Sequence, residues 1–351
     1  MKKLLVLFAQ RLIKGRVRSF ALLLNRRRII RLRSIAYIIT GGMGDGIMTL
    51  PALRFLKKIA SGATIDVFVP TEHHAILLPL LRPFSLRPAA LKDDLFHRYD
   101  VVFSNTIAAF RVTCEIRARI IGRFAAGFRY PDEHPIDRLY DFSLSLAARE
   151  HDIDQNLALV AGALGVPIEE RDRQYPPAPP RVPLERGASF PVLVHPGAGR
   201  DYCHKKWPFD RYVEIVRRLA EKKYAVTVLL GPDDVHLYAF FQKMTGVRIC
   251  NSHGPGPLLK ALGESGLFIG NDSGPAHCAS LLGIPAITLF GPTSAARSAP
   301  RGSGCTAIES TLPCAPCHFT RSPCRDNQCL KSISVDTVWA RIEERLKDLK
   351  Q

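Results

Sequence analysis

The sequence contains no run of about 18 or more consecutive apolar residues, the length that a membrane-spanning helix needs. The short apolar run after Lys3 is not closed by a small-residue cleavage site, so we do not expect an export signal. In a long chain without such a signal, an odd total of nine cysteines indicates the reducing cytosol. A hydrophobic fraction of 46% over 351 residues excludes a disordered chain and is enough for two domains.

Acidic side chains are absent from residues 1–33, which carry eleven lysines and arginines. The rest of the chain therefore accounts for only about +6 of the formal net charge of +17. Because apolar residues are interleaved with these basic ones, we expect an amphipathic arm that binds an anionic membrane surface. Binding to nucleic acid and a merely solvated or locally packed arm are the alternatives for the same charge, and we expect no nucleic-acid partner.

Strands and helices alternate in two successive series, which predicts an α/β protein with two doubly wound sheets. In the first series, residues 34–40 are a predicted buried strand that leads through a glycine-rich turn into a helix ending near Lys58. Pro51 is compatible with that helix only in about its first turn. The next predicted strands are residues 65–69 and 100–104.

The second series begins after a proline-rich stretch, which we interpret as a stiff linker. Its predicted strands are residues 192–195, 224–230, 266–269 and 285–290, and its predicted helices are residues 210–222, a short helix ending at Gly283, and a final amphipathic helix over 336–349. The predicted organisation is a basic arm (1–33), a first domain (34–166), the linker (167–191), a second domain (192–333) and a C-terminal helix (334–351).

One βαβ unit of the second series has a polar turn, residues 270–277, at the carboxyl end of its first strand. Open α/β sheets bind ligands at that end, and a helix that starts there offers unpaired N–H groups to a phosphate. We expect Ser273 and Gly274 to bring donors close to a phosphate, and His277 to add another. The alternative is that Asp272 and Ser273 merely cap the helix, which uses the same geometry.

A second polar turn, residues 41–46, lacks the G-x-G-x-x-G spacing of a dinucleotide fingerprint. Its glycines, which include Gly44 and Gly46, permit the close approach of a substrate, and Asp45 beside a hydroxyl can act as general base. The alternative role of Asp45 is that of an N-cap. A helix N-terminus lowers the pKa of a carboxyl group whereas partial burial raises it, so the sequence leaves the balance open.

Two lysines, Lys205 and Lys206, close a glycine-containing segment that begins at His195, at the end of a predicted strand. A lysine suits a diphosphate leaving group as a point charge, although surface lysines are usually solvated. Asp233 and Asp234 follow the next strand, where a carboxylate can accept hydrogen bonds from ribose hydroxyls or simply form a turn.

Four cysteines, Cys314, Cys317, Cys324 and Cys329, are clustered near the C-terminus. Their C-x2-C start permits a zinc site, but the gap before the third cysteine is shorter than in zinc ribbons. Disulfides and reduced thiols are the alternatives, and we expect reduced thiols and no metal.

Taken together and in this order, the motifs resemble glycosyltransferase family 9, the bacterial lipopolysaccharide heptosyltransferases. The resemblance covers about residues 34–345, and the basic arm lies outside it. The motifs that carry it are Gly44-Asp45 with Thr49-Leu50-Pro51-Ala52-Leu53-Arg54, His195-Pro196-Gly197-Ala198, Lys205-Lys206-Trp207-Pro208, Asn271-Asp272-Ser273-Gly274-Pro275-Ala276-His277, Phe290-Gly291-Pro292-Thr293 and the cysteine-rich tail.

The resemblance implies a GT-B architecture, in which two Rossmann-like domains face a central cleft with the acceptor site in the first and the nucleotide-sugar site in the second. It also implies inverting transfer of a heptose from an ADP-activated donor to a lipid-linked core oligosaccharide, with no required cofactor or metal. Asp45 matches the general base, and we expect Gly44, Gly46 and His195 to support the acceptor or the loops. The implied donor contacts are Lys205, Asp272, Ser273, Gly274 and His277, with Asp233 or Asp234 at the ribose.

Such an enzyme is expected in the cytoplasm, peripheral on the inner face of the bacterial inner membrane through residues 1–33. Two other functions use similar folds. One is a sugar-nucleotide epimerase, for which the further carboxylates and histidines needed near Asp45 are not evident in the sequence. The other is a non-catalytic protein that binds a sugar nucleotide or a lipid, for which Asp45 would be superfluous.

Overall fold

The computed structural model describes residues 32–39, 41–69, 84–88, 99–105, 122–129, 140–147, 149–175, 190–199, 204–252, 254–317 and 326–349. Within these ranges, no helix combines the length and the apolar character that crossing a membrane requires. Most of the expected membrane arm, residues 176–189 of the expected linker, and Cys324 lie outside the described residues.

The first half of the chain forms a six-stranded sheet in which all neighbouring strands are parallel. Its strands are β1 (Ser34–Ile39), β2 (Thr64–Val69), β3 (Ser85–Pro88), β4 (Tyr99–Asn105), β5 (Gly122–Arg129) and β6 (Phe142–Ser145), and its helices are α1 (Met43–Ile59) and α2 (Asp152–Leu164). The spatial order β3-β2-β1-β4-β5-β6 is that of a doubly wound sheet, with the topological switch point between β1 and β4.

The second half repeats this order in a second parallel sheet, β12-β11-β10-β7-β8-β9, with its switch point between β7 and β10. The strands are β7 (Pro191–His195), β8 (Ala225–Leu230), β9 (Val247–Asn251), β10 (Leu267–Asn271), β11 (Ala286–Phe290) and β12 (Thr306–Glu309). The helices are α3 (Phe209–Glu221), α4 (Tyr238–Phe241), α5 (Pro255–Gly263), α6 (Gly274–Leu281), α7 (Ala295–Ser298), α8 (Gln328–Ser332) and α9 (Val335–Asp348).

The central strands are buried on both faces, which explains why they are mostly apolar in the sequence. All five residues of β10 and of β11 are buried, as are the last five of β1. The outer helices instead bury one face, and in α9 that face consists of Val338, Ile342 and Leu346. The buried Trp207 donates its Nε1–H to the carbonyl of Ile333 at 2.9 Å, which fastens the C-terminal segment to the second half.

The position of Pro51 differs from the expectation, which was wrong. Pro51 lies in the third turn of α1, and the helix continues past it to Ile59. A proline there cannot donate to the carbonyl four residues earlier and crowds that carbonyl. Its cost is offset by burial, because the neighbouring Leu50 and Leu53 are 2% and 0% exposed in the core of the first half.

The expected linker contains structure of its own at both described ends. Residues Glu170–Arg173 form a 3-10 helix against the first half, where Lys58 Nζ lies 2.9 Å from Asp172 Oδ1. At the other end, Pro191 is already the first residue of β7. The described part of this stretch therefore belongs to one half of the chain or the other: residues 170–173 pack against helices of the first half, and Pro191 is part of the second sheet.

Candidate active site

The amino-terminal ends of α1 and α6 meet between the two sheets. A methyl group on Gly44 would lie 2.8 Å from His277 Cδ2, and one on Gly274 would lie 2.4 Å from Met43 Cε. Cys278 Sγ is 3.6 Å from Met43 Sδ. The two glycines therefore allow a close contact between helices that follow β1 and β10, next to both switch points, where doubly wound sheets bind ligands.

Asp45 lies in the first turn of α1, at this contact. Its Oδ2 accepts a hydrogen bond from the Gly42 N–H at 2.7 Å, so the side chain closes the start of the helix. Burial raises the pKa of the Asp45 carboxyl group, and this effect outweighs the opposing influence of Lys205, the Gly42 N–H and Arg297. Asp45 therefore closes the start of the helix and also has a raised pKa, because burial raises that pKa more than the Gly42 N–H at the helix N-terminus lowers it.

Lys205 and Asp272 form a buried ion pair on the other side of this contact. Lys205 Nζ lies 2.8 Å from Asp272 Oδ2, and the two side chains are only 16% and 6% exposed. Burial tends to raise the pKa of Asp272, but the charge and the hydrogen bond of Lys205 outweigh it and the pKa is lowered. Lys205 is therefore not a solvated surface lysine: its ammonium group is held against Asp272, the residue that precedes the N-cap of α6.

The start of α6 leaves polar atoms without partners. Ser273 is the N-cap residue, but its side chain makes no capping hydrogen bond. In the described part of the chain, the buried Ser273 Oγ and His277 Nδ1 lack any hydrogen-bond partner. Burial lowers the pKa of His277 to about 4, so its imidazole is neutral at physiological pH. Orphaned polar atoms beside the positive end of a helix suit an anionic ligand better than a simple cap.

Asn271, which the sequence analysis did not single out as a site residue, holds the loop after β7 against β10. Its Oδ1 accepts from the Trp207 N–H and the Tyr212 hydroxyl, both at 2.9 Å. Its Nδ2 donates to the carbonyls of Pro196 and Gly197 at 2.9 and 3.2 Å. This fully bonded amide fixes the segment that carries Lys205. A buried asparagine inside a polar motif is the signal that could have revealed it.

The structure brings His195, Lys206 and Asp234 together around the same loop, the one that follows β7. Lys206 Nζ lies 2.8 Å from Asp234 Oδ1, and a methyl group on Gly197 would lie 2.0 Å from Asp234 Oδ2. His195 is buried, and its Nδ1 lies 2.9 Å from the Leu229 carbonyl, to which it donates as the protonated nitrogen. These residues support the loop within the second half, whereas Asp233 is only partly buried.

Two charged residues that the sequence analysis missed also lie near Asp45. Arg297, in α7, donates its Nε–H to Asp152 Oδ1 at 2.7 Å, and Asp152 is the first residue of α2. Burial raises the pKa of Asp152 to about 6, and the charges of Asp45 and Asp272 act in the same direction. Further carboxylates and a histidine therefore do surround Asp45, although they are distant from it in the sequence.

The cysteine cluster does not come together as a metal site within the described ranges, where no three His, Cys, Asp or Glu side chains converge as metal ligands. Cys314 is exposed, whereas Cys329 is buried. The Cys329 sulfur packs against Gly291, where an added methyl group would lie 2.9 Å from it. Cys317 is half-buried, and Cys324 lies outside the described residues.

The arrangement separates two chemical tasks. A carboxylate of raised basicity belongs to the first half, and a lysine with a helix N-terminus belongs to the second. The first can take up a proton, and the second can stabilise a developing anion. A bond broken between the two halves would have both groups in place.

The protein-family comparison matches residues 97–327 to the model of glycosyltransferase family 9 (heptosyltransferase). Lipopolysaccharide heptosyltransferase 1 of Pseudomonas aeruginosa is 23% identical over 303 residues, which cover 79% of this chain and 84% of the relative. Lipopolysaccharide heptosyltransferase 3 of Escherichia coli is 30% identical over 284 residues, which cover 71% and 81%.

A solved structure has a similar fold. The E. coli heptosyltransferase WaaC with ADP-2-deoxy-2-fluoro heptose matches with a TM-score of 0.64 and 18% sequence identity, over 89% of this chain and 99% of that chain. Together with the two parallel sheets, this likeness confirms the GT-B fold that the motifs imply.

Proposed function

Because the chain belongs to glycosyltransferase family 9, the heptosyltransferase family, we propose that it transfers a heptose from an ADP-activated donor to a lipopolysaccharide core acceptor. The donor is supported by the fluorinated ADP-heptose that the structurally similar WaaC carries, and the acceptor by the names of the relatives. The observation that carries the proposal is the apposition of Asp45 with the Lys205–Asp272 pair at the start of α6.

The proposed donor site lies at the start of α6. The diphosphate would accept from the first N–H groups of this helix and from the Ser273 hydroxyl, with Lys205 as counter-charge. His277 Nδ1 would add a donor in the tautomer that protonates it. The orphaned Ser273 Oγ and His277 Nδ1 support this placement. For the ribose we assign Asp233, because Asp234 is buried against Lys206.

In the proposed reaction, the oxygen of an acceptor hydroxyl attacks the anomeric carbon of the donor while Asp45 takes the hydroxyl proton. The bond between that carbon and the diphosphate oxygen breaks, and its electron pair leaves with ADP. Lys205 and the N-terminus of α6 stabilise the charge that develops on the leaving group. Attack and departure on opposite faces of one carbon invert its configuration. The reaction as written needs no cofactor.

The raised pKa of Asp45 supports its role as the base, because a carboxylate buried beside its substrate accepts a proton more readily than an exposed one. The Gly42 N–H fixes one of its oxygens and leaves the other for the acceptor hydroxyl. Domain closure over both substrates would bring the hydroxyl and the anomeric carbon into line.

The acceptor is membrane-bound in the proposed reaction, and the basic arm, residues 1–33, would hold the enzyme on the anionic inner face of the inner membrane. The absence of acidic residues in this arm supports the placement. Sedimentation with vesicles containing phosphatidylglycerol tests it. Equal sedimentation of the full chain and of a chain without residues 1–31 would contradict it.

A donor panel tests the proposed function. Purified enzyme is incubated with ADP-heptose, other ADP-sugars or UDP-sugars, with intact or delipidated core acceptor, and products are followed by mass spectrometry. We expect the acceptor to gain one heptose, with release of one ADP, only when ADP-heptose is the donor. Isomerisation of a donor without acceptor would indicate an epimerase, and tight nucleotide binding without turnover would indicate a binding protein. Either result overturns the proposal.

A further inference from the structure

The two halves of the chain are joined by a second contact, close to the Asp45 site. Arg297 of α7 and Asp152 of α2 form an ion pair at 2.7 Å, and each side chain is only 14% exposed. Beside it, His151 Nε2 donates to the Ala299 carbonyl at 2.9 Å, and Arg301 pairs with Asp154. Two arginines of one short segment of the second half, Arg297 and Arg301, thus pair with two carboxylates in the first turn of α2.

Asp152 is anchored firmly within the first half. Its Oδ1 also accepts from Gln155 Nε2 at 3.2 Å, and its backbone carbonyl accepts from Asn156 Nδ2 at 2.7 Å. Asn156 Oδ1 in turn accepts from the buried Tyr37 hydroxyl at 2.9 Å. Because Tyr37 belongs to β1, the strand that leads into α1, the partner of Arg297 is tied to the same frame as Asp45.

Arg297 also acts on Asp45 itself. Several elements present charged or titratable groups around that carboxylate: Lys205 from the loop before α3, Arg297 from α7, Asp272 from the end of β10, Asp152 from α2 and the neutral His277 from α6. Lys205 is already paired with Asp272. Among the residues that the structure describes, Arg297 is therefore the second cation of this cluster, and its position is set from the opposite half of the molecule.

We propose that Arg297 is a positioning residue for the transfer reaction: Asp152 holds its guanidinium across the contact between the two halves, so that a fixed positive charge lies beside the Asp45 carboxylate. The inference rests on the proposed function, in which Asp45 is the base. A positive charge there favours the ionised form of Asp45, which is the form that can accept a proton. The charge on the leaving group is stabilised by Lys205. Arg297 itself need not touch either substrate.

The charge of Arg297 has a measurable consequence for pH dependence. It lowers the pKa of Asp45, so its removal raises that pKa further. The base is active only when deprotonated, and the acid limb of kcat/KM should therefore move to higher pH when Arg297 loses its charge. A purely structural contact would instead change the activity by the same factor at every pH.

The test compares R297Q, R297K and the control R301Q, which breaks the neighbouring ion pair with Asp154. The full pH profile of kcat/KM for heptose transfer is measured for each, with the ADP dissociation constant and the melting temperature. We expect the acid limb of R297Q to move to higher pH by about 0.5–1 unit. The acid limbs of R297K and R301Q should lie at the same pH as that of the wild type. If R297Q is too unstable to assay, R297M serves the same comparison.

Two outcomes overturn the inference. One is an acid limb of R297Q that does not move, and the other is an equal movement in R301Q. The proposed function is tested separately by Asp45→Asn in the same assay. Full activity of that variant would remove the base and with it the premise, whereas an inactive Asp45→Asn beside an unmoved R297Q limb would remove only the role of Arg297.

Discussion

Replacing Asp45 by asparagine is expected to lower kcat/KM for heptose transfer at least about 10²-fold, while the affinity for ADP stays unchanged. The amide cannot take up the proton of the acceptor hydroxyl, whereas the donor contacts belong to the other half of the chain. The measurement is the initial rate of transfer from ADP-heptose, with ADP binding followed by calorimetry on the same preparation.

Asparagine and alanine at this position form a matched pair. Asn can still accept the Gly42 N–H hydrogen bond through its amide oxygen, so the start of α1 stays closed. Ala loses that bond, which costs about 1 kcal/mol of stability. We therefore expect equal losses of activity but a lower melting temperature for Asp45→Ala only. Transfer at the wild-type rate by Asp45→Asn would exclude Asp45 as the base.

The second large effect is expected for Lys205→Gln, which should lower kcat about 10²–10³-fold. The variant removes the cation next to the proposed diphosphate site and leaves the Asp272 carboxylate buried without its partner. The loss of a partner inside a buried ion pair destabilises a protein by about 3–5 kcal/mol. The transfer rate and the free energy of unfolding in urea are measured together.

Two further variants separate the chemistry from the folding. Lys205→Gln combined with Asp272→Asn leaves no unpaired charge, so stability should recover while kcat stays low. Lys206→Gln is the control for the lysine pair, because Lys206 contacts Asp234 and not Asp272. We expect a much smaller change in kcat for it. Recovery of activity in the double variant would show that Lys205 matters only as the partner of Asp272.

Much of the fold follows from the sequence because its strands are buried on both faces. Residues 35–39 are an unbroken apolar run, and residues 285–290 form a run that only Thr288 interrupts; each lies next to a glycine turn of the kind that α/β sheets place at strand ends. Asp272 comes soon after the predicted strand 266–269 and Asp45 soon after the predicted strand 34–40, so both were predicted to lie at the carboxyl edges of their sheets. The structure brings those two edges together.

Other features depend on tertiary contacts that no local pattern contains. Pro51 is tolerated inside α1 because its neighbours are fully buried, and helix propensity read from the sequence does not include burial. Arg297 and Asp152 are separated by 145 positions, so only the folded chain brings them together. Asn271 has its role because the loop after β7 folds back on it, and Ser273 leaves its hydroxyl unpaired although its residue type favours a cap.

The anomeric configuration of the product is the most direct test of a single displacement with Asp45 as the base. The enzyme is given ADP-heptose of known configuration and a core acceptor, and the new glycosidic linkage is assigned by NMR from its one-bond carbon–proton coupling. A single displacement, with one base in the first half and the charged leaving group held by the second, predicts an inverted linkage. A retained configuration would contradict single displacement and the role of Asp45 as the base.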